Sequence, residues 1–281
     1  MRPRSTTLRR LTDRLAKAMA AASAGVGLLA LAWIMWEVIA RGTGALSWSF
    51  FTRLPTPPGV PGGGLANAML GTILITALAT VMGVPVGLLA GVYLAEFGKH
   101  GRLGTVVRFA SNIVMGTPSI IVGVFVYTLL VVTTGHFSAY AGAAALAIIM
   151  LPVVARTTED MLSLVPNTLR ESALALGAAR WRVTLGVVFR AAKQGLLTGI
   201  LLAVARVSGE TAPLLFTALN SPYWPGSLGQ PTANLTVSIF NYAMSPYSDW
   251  QQMAWGASLL ITVGVLLTAV TARIALKSRK A

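Results

Sequence analysis

The sequence predicts an all-α integral membrane protein with six transmembrane helices and both termini cytoplasmic, and three observations carry the prediction. The 281 residues are 55% hydrophobic and only 11% charged, with a mean hydropathy of +0.71; a soluble domain of this size needs far more charge to cover its surface. Apolar runs long enough to cross about 30 Å of hydrocarbon at about 1.5 Å per residue lie near 18–40, 65–95, 106–132, 139–155, 187–218 and 253–276. The 22 Lys and Arg cluster at the ends of those runs: with the N-terminus inside, nineteen are cytoplasmic, Arg41 and Arg53 are external, and Arg206 is within the membrane. That excess of internal base sets the orientation. The net charge of +14 is therefore topological and implies no nucleic-acid partner.

Taken in order, residues 1–17 form a basic cytoplasmic tail carrying Arg2, Arg4, Arg9, Arg10, Arg14 and Lys17. The first span, 18–40, is a retained anchor, because its apolar run exceeds that of a secretory leader and no A-x-A-like site follows. Residues 41–64 are an external loop ending in "PTPPGVPGGG", a sequence of turn formers. The main membrane-embedded body is 65–276. Within it "AYAGAAALAIIMLPVVA" at 139–155 is the shortest span, 156–186 is a cytoplasmic loop, and 219–252 is an external loop whose Tyr223, Trp224, Tyr242, Tyr247 and Trp250 suit an interfacial belt. Residues 277–281 are a second cytoplasmic tail. Pro85, Pro118, Pro152 and Pro213 interrupt spans; each removes a helix hydrogen bond and is tolerated where a neighbouring helix or polar cavity satisfies the freed carbonyl. Four such breaks favour a transporter over a simple anchor.

The connection 156–192 reads as two short helices, the first broken at Pro166. Thr168 stands three residues before Glu171, the spacing of a capping box. Leu169, Ala173 and Leu176 recur at helical spacing, and Gly177 supplies the turn that ends the helix. On pattern alone this is equally an interfacial linker helix.

Arg206 and Glu210 sit in the fifth apolar run, "ARVSGETAPLLF". An arginine at mid-span costs roughly 2.5–3.5 kcal/mol on insertion scales and so faces a protein interior or a wet cavity. Glu210 at i+4 is within reach of a pair, with Ser208 and Thr211 as neighbouring hydroxyls. A buried pair that merely fixes packing explains little, since such pairs seldom outdo apolar replacements in stability. The functional reading is that Arg206 presents its planar donor fork to an oxyanion, while Glu210 holds it in place and limits how long an anion stays. Thr117 and Ser119, flanking Pro118, are further pathway hydroxyls unless they bond back to their own helix.

The residues exclude several chemistries. There are no cysteines and only two histidines, His100 and His136, which argues against a thiolate or histidine metal site. The single Gly-Lys pair, Gly98-Lys99, lacks the spacing of a phosphate-cradling loop, and no G-x-S-x-G or H-E-x-x-H occurs. No enzyme is expected, and any energy input comes from another chain.

Two stretches carry a resemblance. "ESALALGAARWRVTLGVVF" is similar to the EAA loop of the permease subunits of bacterial ABC importers, Glu-Ala-Ala, three residues, Gly, nine residues, then Ile-x-Leu-Pro. Glu171, Ser172, Ala173 and Gly177 keep that spacing with Ser172 for the middle Ala, Val187 and Phe189 stand for Ile and Leu, and Arg190 replaces Pro. "ARVSGETAPLLFTA", with "GTPSIIVGVFVYTLLV" at 116–131, resembles the PstA-type branch, the permeases of phosphate importers. The resemblance implies a type I ABC importer permease fold in a bacterial inner membrane. It implies a coupling helix in which Thr168, Glu171, Ser172, Ala173, Gly177 and Arg180 meet an ATPase, and a pathway including Arg206, Glu210, Ser208, Thr211, Thr117 and Ser119. The implied partners are a second permease of the PstC type, a dimer of ATP-binding subunits of the PstB type, an external phosphate-binding protein of the PstS type, and membrane lipid. No cofactor is expected on this chain; ATP and Mg belong to the partner ATPase. The rivals are an ion-gradient-driven oxyanion carrier and an ABC permease for sulfate or molybdate. A gradient-driven carrier should show repeated halves and several intramembrane acids, whereas Glu210 is the only acid near mid-span.

Overall fold

The computed structural model describes residues 6–60, 62–99 and 101–277, all of them helix or connection with no strand. Arg2 and Arg4 of the expected first tail and 278–281 of the second, as well as His100, lie outside the described residues. Helix α1 is Thr6–Gly42, so the helix already runs through most of the expected tail. A 3₁₀ turn at Thr43–Ala45 leads to α2, Trp48–Thr52, opened by Ser47, whose hydroxyl accepts from Phe50 N. Helix α3, Ala66–Val92, ends in a π-helical turn, Tyr93–Phe97. Then follow α4, Arg102–Gly116, and α5, Ser119–Val126, which passes through a π turn at Tyr127–Val131 into α6, Val132–Thr134. Helix α7 is Ala139–Ser163 and α8 is Asn167–Ala175. Helix α9, Arg180–Val183, joins α10, Phe189–Ser208, through a π turn at Thr184–Val188. The chain closes with α11, Ala212–Leu215, α12, Leu235–Ala243, and α13, Ser248–Lys277.

Five stretches are long and apolar enough to span: Arg10–Ala45, Ala66–Phe97, Ala139–Ser163, Arg180–Ser208 and Ser248–Thr271. Taken together, the pair α4 and α5–α6, bent by 102°, is long and apolar enough to make a sixth. Thr117 (ψ 134°) and Pro118 (ψ 132°) are extended at that corner, as expected where proline lacks a donor and disfavours the helical conformation before it. Pro85 and Pro152, by contrast, lie inside continuous helices. Two expected boundaries shift. The fourth span continues to Ser163, so the first of the two short helices predicted before Pro166 is simply the end of α7. The fifth helix starts at Arg180, because Arg190 where its relatives in pattern carry Pro leaves the backbone donor in place, and it stops at Ser208 rather than running to 218.

Helix α7 is the centre of the molecule, and small residues let its neighbours approach it. Along α3, Ala79, Gly83, Gly87 and Gly91 repeat every four residues, all buried. A Cβ added at Gly83, Gly87 or Gly91 would lie 3.2 Å from Ala147 O, 2.8 Å from Val154 Cβ and 2.4 Å from Thr158 Cβ respectively. Both sequences ascend together, so α3 and α7 run parallel, backbone to backbone, the small-xxx-small mode of membrane packing. Helix α10 runs antiparallel to α7, with Gly195 against Met161 and Gly199 against Thr157. Ile75, Leu146, Met150, Val154, Ala203 and Val207 close the core between the three helices. A second cluster joins Phe50 of α2, Leu65, Tyr242 of α12 and Ala257 of α13. Among the described residues, helix α1 packs on this outer part: Gly42 abuts Trp255 and Leu259 of α13, and Arg41, paired with Glu37 at 2.6 Å, lies over the Trp255 ring. The α1 side chains Leu28, Leu29, Trp33 and Trp36 are exposed.

Candidate functional site

The contacts of α10 with α7 set the height of Arg206. Gly199 faces Thr157; seven residues further up α10 and seven back down α7 bring Arg206 level with Met150, beside the midpoint of the 25-residue α7. Its neighbours Ala205 and Val207 are buried in the core, while Arg206 is exposed on the surface of this chain. A guanidinium at mid-height on an uncovered face requires a polar partner or water there.

Directly above it the helix stops. Gly209 caps α10, with Gly209 N donating to Arg206 O (3.2 Å) and Glu210 N to Val207 O (3.1 Å). Helix α11 restarts at Ala212, its first turn closed by Leu214 N and Leu215 N on Thr211 O. Glu210 is thus not one turn above Arg206 on a shared helix, and among the described residues no ion pair joins them; the expected pair is not formed. The cause is local. Gly209 weakens the helix, and Pro213, without an N–H, is suited to the opening turn of a new one. Glu210 is half-buried, and its carbonyl accepts from Thr236 Oγ1 at 2.9 Å. Thr236 also donates to Asn234 Oδ1, which accepts Val237 N and so caps α12. The break is held from outside by Asn234 and Thr236, which sequence reasoning missed although an Asn before an apolar run is a helix-start signal.

The expected hydroxyls divide. Ser208 Oγ bonds to Ala205 O at 2.8 Å and Thr117 Oγ1 to Ile113 O at 2.8 Å, so both are occupied by their own helices. Thr211 and Ser119 are half-buried at the first turns of α11 and α5. The two stretches do meet: a Cβ on Gly123 of α5 would lie 2.6 Å from Pro213 Cα. The 102° corner and the break in α10 are therefore parts of one region.

At the opposite end, α8 forms the projecting helix. The residue before it is Pro166, extended at ψ 142°, with no side-chain cap. Thr168 lies inside the helix, its carbonyl accepting Ser172 Oγ at 2.8 Å, so the predicted capping box is not formed; proline already stands at the cap. Gly177 has φ +83°. Gly177 N donates to Leu174 O and Ala178 N to Ala173 O, the left-handed closure for which glycine is suited. Glu171, Ser172, Gly177 and Arg180 are exposed, and Ala173 packs half-buried against the core beneath. Leu164 (74% exposed), Leu176 (89%) and Trp181 (59%) form an uncovered apolar rim.

Two arginines that sequence reasoning passed over hold this end together. Arg170 of α8 donates to Glu96 Oε1 through Nη2 (2.8 Å) and Nε (3.2 Å), to Leu162 O at 2.7 Å, and to Val165 O. Arg108 of α4 donates to Glu159 Oε1 at 2.7 Å, to Leu94 O at 3.1 Å and to Gly98 O at 3.3 Å. Their partners are 74 and 51 residues away, beyond any periodicity signal.

On the α12 side, Tyr242 and Trp250 stack at 4.6 Å, and Trp250 Nε1 donates to Thr56 O at 3.3 Å. Burial pushes the Tyr242 hydroxyl up to about 12. These two rings tie the 219–252 loop to the Pro/Gly loop 55–64, while Tyr223, Trp224 and Tyr247 remain exposed.

Residues 83–279 match the family of binding-protein-dependent transport system inner membrane components. The chain is 47% identical over 272 residues to the phosphate transport system permease protein PstA of Yersinia pestis, covering 97% of this chain and 92% of that one. Among solved structures it is similar to a chain of the inward-facing MetNI methionine ABC transporter, with a TM-score of 0.64, 20% identity, and coverage of 76% of this chain and 95% of that one. It is similar also to a chain of a bacterial alginate ABC transporter, with a TM-score of 0.64, 14% identity and 93% of each chain covered.

Proposed function

Since the chain belongs to the family of binding-protein-dependent transport system inner membrane components, we propose that it is the permease subunit of an ATP-driven importer of inorganic phosphate. It is non-catalytic; hydrolysis takes place on a separate subunit. Relatives at this identity over nearly the whole chain are phosphate permeases, which disfavours a gradient-driven carrier and permeases for sulfate or molybdate. The observation that carries the assignment of the pathway is Arg206: a full positive charge at mid-height, on a face this chain leaves uncovered, beside a helix break.

The mechanism follows from that placement. A delocalised guanidinium offers paired N–H donors that match the oxygens of a tetrahedral oxyanion, and the surrounding low dielectric strengthens the attraction. The backbone between Ser208 and Ala212 leaves regular helix, with Gly209 N and Glu210 N bonded back to α10 and Glu210 O to Thr236, the kind of irregular backbone that at membrane depth is buried in protein or lines a wet cavity. Glu210, whose backbone carbonyl accepts from Thr236 and whose carboxylate forms no ion pair with Arg206, keeps negative charge near the path without neutralising the arginine. Repulsion from it weakens retention of the anion, which a transporter needs in order to release what it binds.

The partners that complete this unit are a second permease of the PstC type, covering the face of Arg206, an ATP-binding dimer of the PstB type, and a phosphate-binding protein of the PstS type. The α8 end is cytoplasmic and the α12 end external, with both termini inside and the bacterial inner membrane as location. Thr168 to Arg180 dock on the ATPase, with Leu176 and Trp181 supplying apolar contact.

The test is reconstitution with those partners and measurement of phosphate uptake against ATP and against a proton gradient. Uptake requires ATP; uptake indifferent to ATP would overturn the reading. In Arg206→Lys the charge remains and the fork is lost, so uptake falls by about tenfold or more, the scale of one charged hydrogen bond, with assembly intact. Unchanged uptake would remove Arg206 from the path.

A further inference from the structure

Four elements meet at the α8 end, and the two arginines there are arranged reciprocally. Arg170, on α8, pairs with the acid at the end of α3 (Glu96) and donates to carbonyls at the end of α7 (Leu162 and Val165). Arg108, on α4, does the converse: it pairs with the acid on α7 (Glu159) and donates to carbonyls at the end of α3 (Leu94 and Gly98). Each therefore binds one carboxylate and the negative end of the other helix, the place where a cation is most favourable. The ion pairs are largely enclosed, at 12% and 13% exposure for Arg170 and Glu96, and 24% and 12% for Arg108 and Glu159. Next to them Gly91 of α3 lies close against the Ala155 carbonyl and the Thr158 side chain of α7. The segment Tyr93–Phe97 that receives both arginines is a π-helical turn, a local departure from α geometry that is often functional.

We propose that Arg170 and Arg108 are the positioning residues of energy coupling. They clamp the cytoplasmic ends of α3 and α7 into one body with α8, so that displacement of α8 is passed through Arg170 to the α3–α7 pair and through Arg108 to α4, whose far end is the 102° corner at Thr117–Pro118. The inference rests on the permease reading above. The geometry makes the clasp rigid. Arg170 uses Nε, Nη1 and Nη2 on two different segments, Glu96 after α3 and the Leu162 and Val165 carbonyls at the end of α7, so α8 cannot shift alone without leaving a largely enclosed charge unpaired, which is costly. The flexible part of the chain is thereby placed at Pro118 and at Gly209, away from the clasp.

The experiment uses the reconstituted complex in proteoliposomes and reads phosphate imported per ATP hydrolysed, alongside co-purification of the subunits. Glu96→Gln keeps size and an acceptor but removes the charge; Arg170→Gln removes the donor fork. Each should lower phosphate per ATP about fivefold or more, the small end of measured couplings between sites, with ATP hydrolysis retained. The double variant should be no worse than the more severe single, because the two act through each other. The chain has no cysteine, so Glu96→Cys with Arg170→Cys gives a unique thiol pair. Unbridged it should be uncoupled, and bridged by a short bismaleimide it should recover coupling, since the proposal requires the two to move together. A wild-type complex without ATP-dependent uptake would sink the permease reading itself. With wild-type uptake normal, unchanged phosphate per ATP in the variants, additive losses, or failure of bridging to restore coupling would overturn the clasp. Loss of assembly in every variant would likewise reduce it to a folding element.

Discussion

Replacing the α3 glycines one at a time by alanine produces a graded series whose order comes from the distances to α7. The nearest atoms to the added Cβ lie at 3.2, 2.8 and 2.4 Å for Gly83, Gly87 and Gly91. Ordinary contact begins near 3.4 Å, so α7 must yield by about 0.2, 0.6 and 1.0 Å respectively. A gap of about 1 Å already forfeits a quarter to a half of each dispersion contact along the interface, and overpacking of this kind costs about 1–3 kcal/mol. Against that, alanine is better than glycine in a helix by about 1 kcal/mol. Gly83→Ala is then neutral or slightly stabilising, Gly87→Ala is close to balance or mildly destabilising, and Gly91→Ala destabilises by about 1–2 kcal/mol. Thermal unfolding of the assembled complex in lipid nanodiscs measures the order. A Gly91→Ala complex as stable as wild type, or Gly83→Ala as the worst of the three, would refute backbone-to-backbone packing of α3 on α7.

Two further outcomes follow. At Gly177 (φ +83°) an added Cβ meets nothing within 4 Å, so the loss is backbone strain alone, about 1–2 kcal/mol for an ordinary residue; Gly177→Val should weaken capture of the ATP-binding subunit in pull-down, while Gly177→Asn, which tolerates this conformation, should stay near wild type, and equal behaviour of the two would contradict the turn. Tyr242, raised to about 12 by burial, favours the folded state while neutral: its contribution is intact below the ordinary value near 10 and is lost as pH climbs from there to about 12. Tyrosinate absorbance of the complex should show one late-titrating phenol that Tyr242→Phe removes; disappearance of an early-titrating one instead would place the buried phenol elsewhere.

Much of this architecture is legible in hydropathy, because a bilayer imposes long apolar helices. The six expected spans reappear close to their places, and Gly177 turns the chain where its spacing predicts. What the sequence hides is discontinuity and pairing. Four prolines look alike on paper, yet Pro85 and Pro152 sit within α3 and α7, both packed along their length, while Pro118 marks a sharp corner and Pro213 opens α11. Residues 210–218 are apolar enough to read as the end of a span, so the halt at Ser208 and the separation of Glu210 from Arg206 depend on Gly209 and on Thr236, 26 residues away from Glu210. The Arg170–Glu96 and Arg108–Glu159 pairs depend on tertiary contacts that no local pattern encodes.

Helix α1 is 37 residues long, about 55 Å of rod at the usual rise, and among the described residues it packs on α13 through its Gly42 end, where Val38, Arg41 and Gly42 lie. Among the described residues its Leu28, Leu29, Trp33 and Trp36 side chains stay largely exposed, so its stability depends on what surrounds the molecule: acyl chains or another subunit. The thickness of the surrounding bilayer, or of the detergent belt that replaces it, thus becomes a variable in how this helix tilts, and extraction into short-chain detergent disturbs it before it disturbs the glycine-sealed pair at the centre.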